Sequence, residues 1–178
     1  TQIFNGQFSD ELAVKIFNAL AMLSAFKPEQ MQNLNVAPNL WQSETLTEWI
    51  SLLHREASIP DRDKKLKEAT NALRARLNLK GSKMDLQFNR SSFSEWALFT
   101  SDDQEALKTF YAALELGLWS EDMGRMARGI TGRMNSGHWD TTMANAWGVT
   151  SFKLFGEKFE KEAVGGNTEI NITQVKQH

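Results

Sequence analysis

The amino-acid sequence predicts an all-α fold of successive helical hairpins, interrupted by one short extended segment and followed by a terminal β-strand. Three observations carry this expectation. Apolar residues recur at helical spacing through most of the chain. Ser, Thr and Asp stand at plausible helix starts, with Pro and Gly at plausible stops. Period-two alternation is confined to residues 84–88 and to the last few positions.

The first helix is expected from Ser9 as N-cap, with Leu12, Ile16, Leu20 and Leu23 on one face and Phe17 alongside, ending near Pro28. Pro28, Glu29, Met31 and Leu34 suit a short second helix, because proline fits a first turn. Thr45 and Glu48 have capping-box spacing ahead of Trp49, Ile50, Leu52 and Leu53, with Pro60 as the stop. Beyond Asp61, Leu66, Ala69, Leu73 and Leu77 share a face, and Gly81 stands where a helix would end.

Met84, Leu86 and Phe88 alternate with Asp85 and Gln87, as an extended segment requires. Ser101 and Gln104 then form a second capping-box pattern before Leu107, Phe110, Tyr111 and Leu114. Ser120, Glu121 and Asp122 open a helix through Met123, Met126, Ala127 and Ile130, in or beside which Gly124, Gly129 and Gly132 each cost about 1 kcal/mol relative to Ala, close backbone packing being one return that would offset it. Asp140 is the expected N-cap of the last helix, at a cost of about 1 kcal/mol on Asp140→Ala. Its inner face is expected to carry Met143, Trp147, Thr150 and Leu154, and Gly165-Gly166 to end it. Ile170, Ile172 and Val175 read as a strand without a partner in the chain. The expected division is therefore 1–164 as a helical domain and 165–178 as a linker opening a following β segment. A helical bundle and a curved array of hairpins both fit this order.

Composition narrows the function classes. The 178 residues are 41% hydrophobic and 24% charged, with six Trp and eleven Phe from which to build one core. A net charge of −2 argues against a nucleic-acid footprint. The wholly apolar runs are too short to insert into a bilayer. Thr1 is not an initiator Met and no signal-peptide pattern follows it, so the sequence reads as a mature fragment whose compartment its own start does not reveal. With no cysteine, the chain holds no disulfide, zinc-thiolate site, iron–sulfur cluster, cysteine nucleophile or internal Cys–Gln thioester.

Chemistry-bearing motifs are sparse, and no catalytic, cofactor-binding or metal-ligating residue is expected. His54, His138 and His178 lack the i,i+4 spacing of helical metal ligands. Asp102-Asp103 and Glu121-Asp122 are paired carboxylates of the kind glycosidases use, yet their place in first helical turns favours a charge–dipole role. Glu157, Glu160 and Glu162 read as a solvated face, and Arg125, Arg128 and Arg133 as a salt-bridged cluster rather than an anion site. Trp41, Trp49, Trp96, Trp119, Trp139 and Trp147 fit packing better than a ligand groove. His138 beside Asp140 could form an acid–base pair, but no nucleophile accompanies it.

The most distinctive string runs from Ser136 to Gly148 and contains Gly137, His138, Trp139, Asp140, Thr141, Thr142, Asn145 and Trp147. It resembles the Gly-x-Trp-x-Thr-Thr-x-x-Asn-x-Trp string of bacterial alpha-2-macroglobulin family proteins. The resemblance extends to the block from Trp96 to Asp103 and to the helices that follow it, and is weaker before Thr45. It implies the later part of an α/α-toroid domain that returns to flanking β-sandwich domains. It also implies a large protein of Gram-negative bacteria, periplasmic and in some arrangements anchored in the inner membrane, which traps proteases after cleavage of a bait region. Many members carry a Cys-x-x-Gln thioester in this domain. Here it would have to lie upstream of Thr1 or be absent. The string from Gly137 to Trp147 is then structural, and two alternatives stay open: an α/α-toroid carbohydrate-active enzyme, and a plain helical interaction scaffold.

Overall fold

The structure, a computed structural model, describes residues 6–88 and 101–160. Six α-helices and one hairpin follow in chain order: α1 (Gly6–Met22), α2 (Ser43–Arg55), α3 (Arg62–Arg74), β1 (Leu77–Lys80), β2 (Lys83–Leu86), α4 (Asp102–Leu116), α5 (Met123–Thr131) and α6 (Thr142–Phe159). Short 3-10 turns at Pro28–Met31 and Ser120–Asp122 lead into α2 and α5. The fold is thus mostly helical with a two-stranded sheet. The expected strand at Ile170, Ile172 and Val175, the boundary at 164/165, Trp96 and His178 lie outside the described residues.

Two helices form the centre. Helix α2 packs on α1, α3 and α4, and α4 packs on α2, α5 and α6, while α5 covers β2. Trp49, Leu46, Ile50, Leu52 and Leu53 of α2 and Leu107, Phe110 and Leu114 of α4 are fully buried. Trp41 meets Trp49 edge to face at 5.8 Å, the geometry that ring quadrupoles favour.

Several expected boundaries and faces need correction. Helix α1 starts at Gly6, so position 9 lies inside the helix and not at its N-cap. Its inner face is Val14, Asn18 and Ala21, whereas Leu12, Ile16 and Leu23 point outward. Apolar residues occupy both sides of this helix, and polar partners decide which side docks. Lys15 donates to Glu44 at 2.5 Å, and Asn18 to Glu48.

Helix α2 starts two residues before Thr45 and has no cap of its own. Glu11 Oε2 accepts from Gln42 N at 3.1 Å and from Thr45 Oγ1 at 2.6 Å, while Glu105 Oε1 accepts from Glu44 N at 3.0 Å. Carboxylates from α1 and α4 therefore serve the unpaired N–H groups and the positive end of the α2 dipole.

The hairpin replaces the expected last turn of α3. That helix stops at Arg74, and Leu77 lies in β1 opposite Leu86, with Leu79 opposite Met84. Gly81 opens the two-residue hairpin loop at φ +61°, a conformation that favours glycine, instead of terminating a helix. The extended reading of Met84 and Leu86 holds; its partner strand was hidden inside a helical spacing.

The second half follows the sequence more closely. Ser101 caps α4, accepting from Gln104 N at 3.1 Å. Gly129 of α5 lies so close to β2 that a Cβ built on it would sit 2.0 Å from the Met84 carbonyl oxygen. On α6 the buried residues are Ala144, Gly148 and Ser151, while Met143 and Thr150 are exposed, which corrects the face expected for this helix.

Candidate functional site

The string from Gly137 to Gly148 builds a joint between α4, α5, β2 and α6. Asn135 and His138 pair across a tight turn, with Ser136 at φ +53° and Gly137 at φ +84°. Positive φ at both central positions is what a type I′ turn demands. His138 Nδ1 lies 3.0 Å from the carbonyl oxygen of Trp139, so the imidazole turns to its neighbour's backbone.

Beyond the turn, Trp139 is buried. Its Nε1 donates to Ile130 O at 3.1 Å, its ring stacks on Phe152 at 6.1 Å, and Gly148 lies against it. A Cβ on Gly148 would come within 2.1 Å of the indole. Asn145 fixes the bend from inside the next helix. Its Oδ1 accepts from Trp139 N at 3.1 Å, and its Nδ2 donates to Trp139 O at 2.9 Å and to Thr141 O at 2.6 Å.

The cap of α6 is Thr141, whose Oγ1 accepts from Ala144 N at 3.1 Å; Asp140 is not the cap. Asp140 accepts instead from Ser101 Oγ at 2.8 Å, and its own N–H donates to Asp103 at 3.1 Å. A hydroxyl one residue later takes the capping position, with Thr142 as the first helical residue. We expect Thr141→Ala to cost about 1 kcal/mol in chemical denaturation and Asp140→Ala less than about 0.5 kcal/mol. The reverse order would restore Asp140 as the cap.

Ion pairs extend the joint. Arg133 Nε donates to Asp103 at 2.7 Å, and its Nη1 lies 3.2 Å from both oxygens of Asp85. Buried Asp122 holds Arg125 at 2.6 Å and also Arg74. Hydrogen bonds from Arg125, and then the nearby Arg74, hold its carboxyl below the ordinary range despite burial. Arg128 donates to Ser82 O at 2.8 Å. The three arginines are thus separately partnered, and the paired carboxylates in first turns serve ion pairs as well as helix dipoles.

A second constellation was not legible as a site. Buried Glu44 joins Lys15 at 2.5 Å and Lys108 at 2.7 Å, tying α1, α2 and α4 together. Burial alone would raise its pKa; Lys108 and Lys15 outweigh burial and lower it from 4.5. The stability that this carboxylate contributes is therefore complete above its unfolded value and is withdrawn as pH falls below 4.5 toward the folded value. Glu44→Gln is expected to cost about 1–2 kcal/mol at neutral pH and to flatten the acid limb of a stability–pH profile. An unchanged acid limb would remove Glu44 from that role.

Beside this network lies an open groove of about 640 Å³ between α1, α2, α4 and α6. Tyr111 and Trp147 form one wall, edge to face at 5.3 Å, with Lys108 Nζ 5.9 Å from the Trp147 ring centre. Trp147 therefore stands apart from the joint, partly exposed, whereas Trp139 is packed within it. Burial first, and then Glu115, push the Tyr111 phenol above its ordinary pKa, against Arg55, so it carries its proton at neutral pH. The only sequence hint was Glu44 and Glu48 one helical turn apart, a spacing that Thr45 and Glu48 disguised as a capping box.

Among the described residues no cluster of three His, Asp or Glu side chains converges as a metal site, and no helix is long and apolar enough to cross a membrane. No protein-family model, curated protein or solved structure matches the chain.

Proposed function

We propose that this chain is a non-enzymatic helical part of a large alpha-2-macroglobulin-like protein that traps proteases, without a thioester of its own. The observation that carries the reading is the string from Gly137 to Gly148, whose Trp139, Asn145, Thr141 and Gly148 are all committed to one rigid bend. The helix order supports it too. Helix α4 packs on both α2 and α6, with α1 and α3 against α2 and α5 against α4, an order from which a curved array of hairpins could be built.

In this reading the domain acts as a stiff body between flanking β-sandwich domains of a periplasmic parent, which the inner membrane can anchor. Proteases are the partners of the parent as a whole. The carbohydrate-active alternative ranks behind, because the groove carboxylates are engaged with bases. Glu48 faces Lys108 at 3.8 Å, and Glu115 faces Arg55 at 3.6 Å. The scaffold alternative draws on exposed apolar residues such as Leu12, Ile16, Met22 and Leu23 near α1 and Met143 and Val149 on α6.

The test is made on the complete product of the gene, mixed with a panel of proteases. A trapped protease keeps its activity on a short peptide but loses it on a large protein substrate, and the 178-residue chain alone inhibits neither. If the complete protein leaves digestion of the large substrate unchanged, or blocks the short peptide equally, the trapping reading fails.

A further inference from the structure

We propose that the outward stripe of α1 is a self-pairing seam, through which two copies of the chain join with their α1 helices antiparallel, Leu12 against the partner's Leu23 and Ile16 against the partner's Ala19. This goes beyond the trapping reading and does not depend on it.

Leu12, Ile16, Ala19 and Leu23 succeed one another at steps of four, three and four, the spacing of a seam between two packed helices. Leu23 lies one residue past α1 but keeps the helical bond, its N–H donating to Ala19 O at 3.3 Å. Ala19 is exposed, and so are Leu12 at 44%, Ile16 at 48% and Leu23 at 76%. Helix α1 packs chiefly on α2, through the opposite face of Val14, Asn18 and Ala21. With Met22 beside it, 64% exposed, the stripe opens on the order of 400 Å² of apolar surface, more than scattered apolar residues leave. An interface of standard size takes about 800 Å² from each partner, a little over half of it apolar. The stripe supplies most of that apolar share.

Charge, order and size select a second copy as the occupant. Between Leu12 and Phe26 the one charged side chain is Lys15, and it is turned away from the stripe onto Glu44. Glu11, just before, is turned onto the first turn of α2. A seam without charge meets its own copy with no like charges facing, whereas a helix for an anionic membrane surface carries flanking bases and a charged partner needs opposite charges to meet. The steps of four, three and four read the same from either end, so antiparallel copies bring all four positions into register. That register sets large against small at the centre, Ile16 on the partner's Ala19 and Ala19 on the partner's Ile16, which lets the two axes approach closely. Parallel copies would instead set Ile16 on Ile16 and leave a gap at Ala19. The antiparallel pair is also closed by a two-fold axis, so it stops at a dimer.

The test is sedimentation velocity on the 178-residue chain and on the complete product of the gene. Both are expected to dimerise, with a dissociation constant of about 50 μM or tighter. Ile16→Lys and Ala19→Arg, both at exposed positions, are expected to weaken the dimer by about tenfold or more, with circular dichroism confirming that each is folded. Val149→Lys, on the exposed face of α6, is expected to leave it unchanged. Orientation is read by crosslinking, since the chain has no cysteine of its own. Leu12→Cys and Leu23→Cys in one chain are expected to give a covalent dimer under a mild oxidant, and each alone is not; eleven residues of helix span about 16 Å, too far for a bridge within one copy. Four results overturn the proposal: a chain that stays monomeric up to about 200 μM, a dimer unchanged in both folded α1 variants, crosslinking by either cysteine variant alone, or a chain that dimerises while the complete protein is monomeric, which would assign the stripe to a neighbouring segment.

Discussion

Gly129→Ala is expected to destabilise the protein by about 2–4 kcal/mol, while Gly124→Ala, five residues earlier in the same helix, is neutral or stabilising by up to about 1 kcal/mol. Intrinsic helix propensity treats the two alike. Space separates them. A Cβ at Gly124 meets nothing nearer than the flexible end of Arg128, 3.7 Å away. At Gly129 it would stand 2.0 Å from the carbonyl oxygen and 2.8 Å from the carbonyl carbon of Met84, both backbone atoms of a paired strand. A side chain can rotate aside, but β2 can yield only by shifting Met84 and Leu86, which are both buried in the core. Parallel urea titrations of the two variants check this. Equal midpoints would mean that α5 does not press on β2 as described.

Trp139→Ala is expected to cost about 3–5 kcal/mol, the largest single effect in the joint. The indole fills the space beside Gly148, stacks on Phe152 and satisfies the carbonyl of Ile130. Its removal leaves a cavity and an unpaired acceptor together. Trp139→Phe keeps the ring and loses the N–H, so a smaller loss is expected. The pair with Gly148 gives a sharper check. Gly148→Ala alone clashes with the ring, but in the Trp139→Ala background the methyl enters vacated space. A double-mutant cycle is therefore expected to show favourable coupling of about 1 kcal/mol or more. Strict additivity would mean that the two residues do not touch.

Local signals were readable where a residue's role was played out within four positions. Ser101 with Gln104, Pro28 at the start of a turn, and the alternation of Met84 and Leu86 all took the expected structure. Sequence failed where a distant partner decided the outcome. Leu12, Ile16 and Leu23 have helical spacing, yet Lys15 and Asn18 dock against Glu44 and Glu48 and turn these three residues outward. Leu77 continued the spacing of α3, but its pairing with Leu86 moved it into a strand. Asp140 lost the cap to Thr141 because Ser101 and Asp103 hold it elsewhere. The joint was visible as a string of unusual order, although its Asn145 clamp was not. The groove was harder to see, since its walls come from four helices, α1, α2, α4 and α6, that only the tertiary fold brings together.

The borrowed caps of α2 bear on how the protein assembles. Its first-turn amides find their carboxylates 31 and 61 residues away along the chain, in α1 and α4. A helix whose start is completed only by distant segments gains little by forming ahead of them, since nucleation is already unfavourable. Opening of α1 or α4 should therefore expose the α2 amides at the same moment, and hydrogen exchange would report these three helices as one cooperative unit rather than as three. The most buried of the described helices is then also the one least able to stand alone.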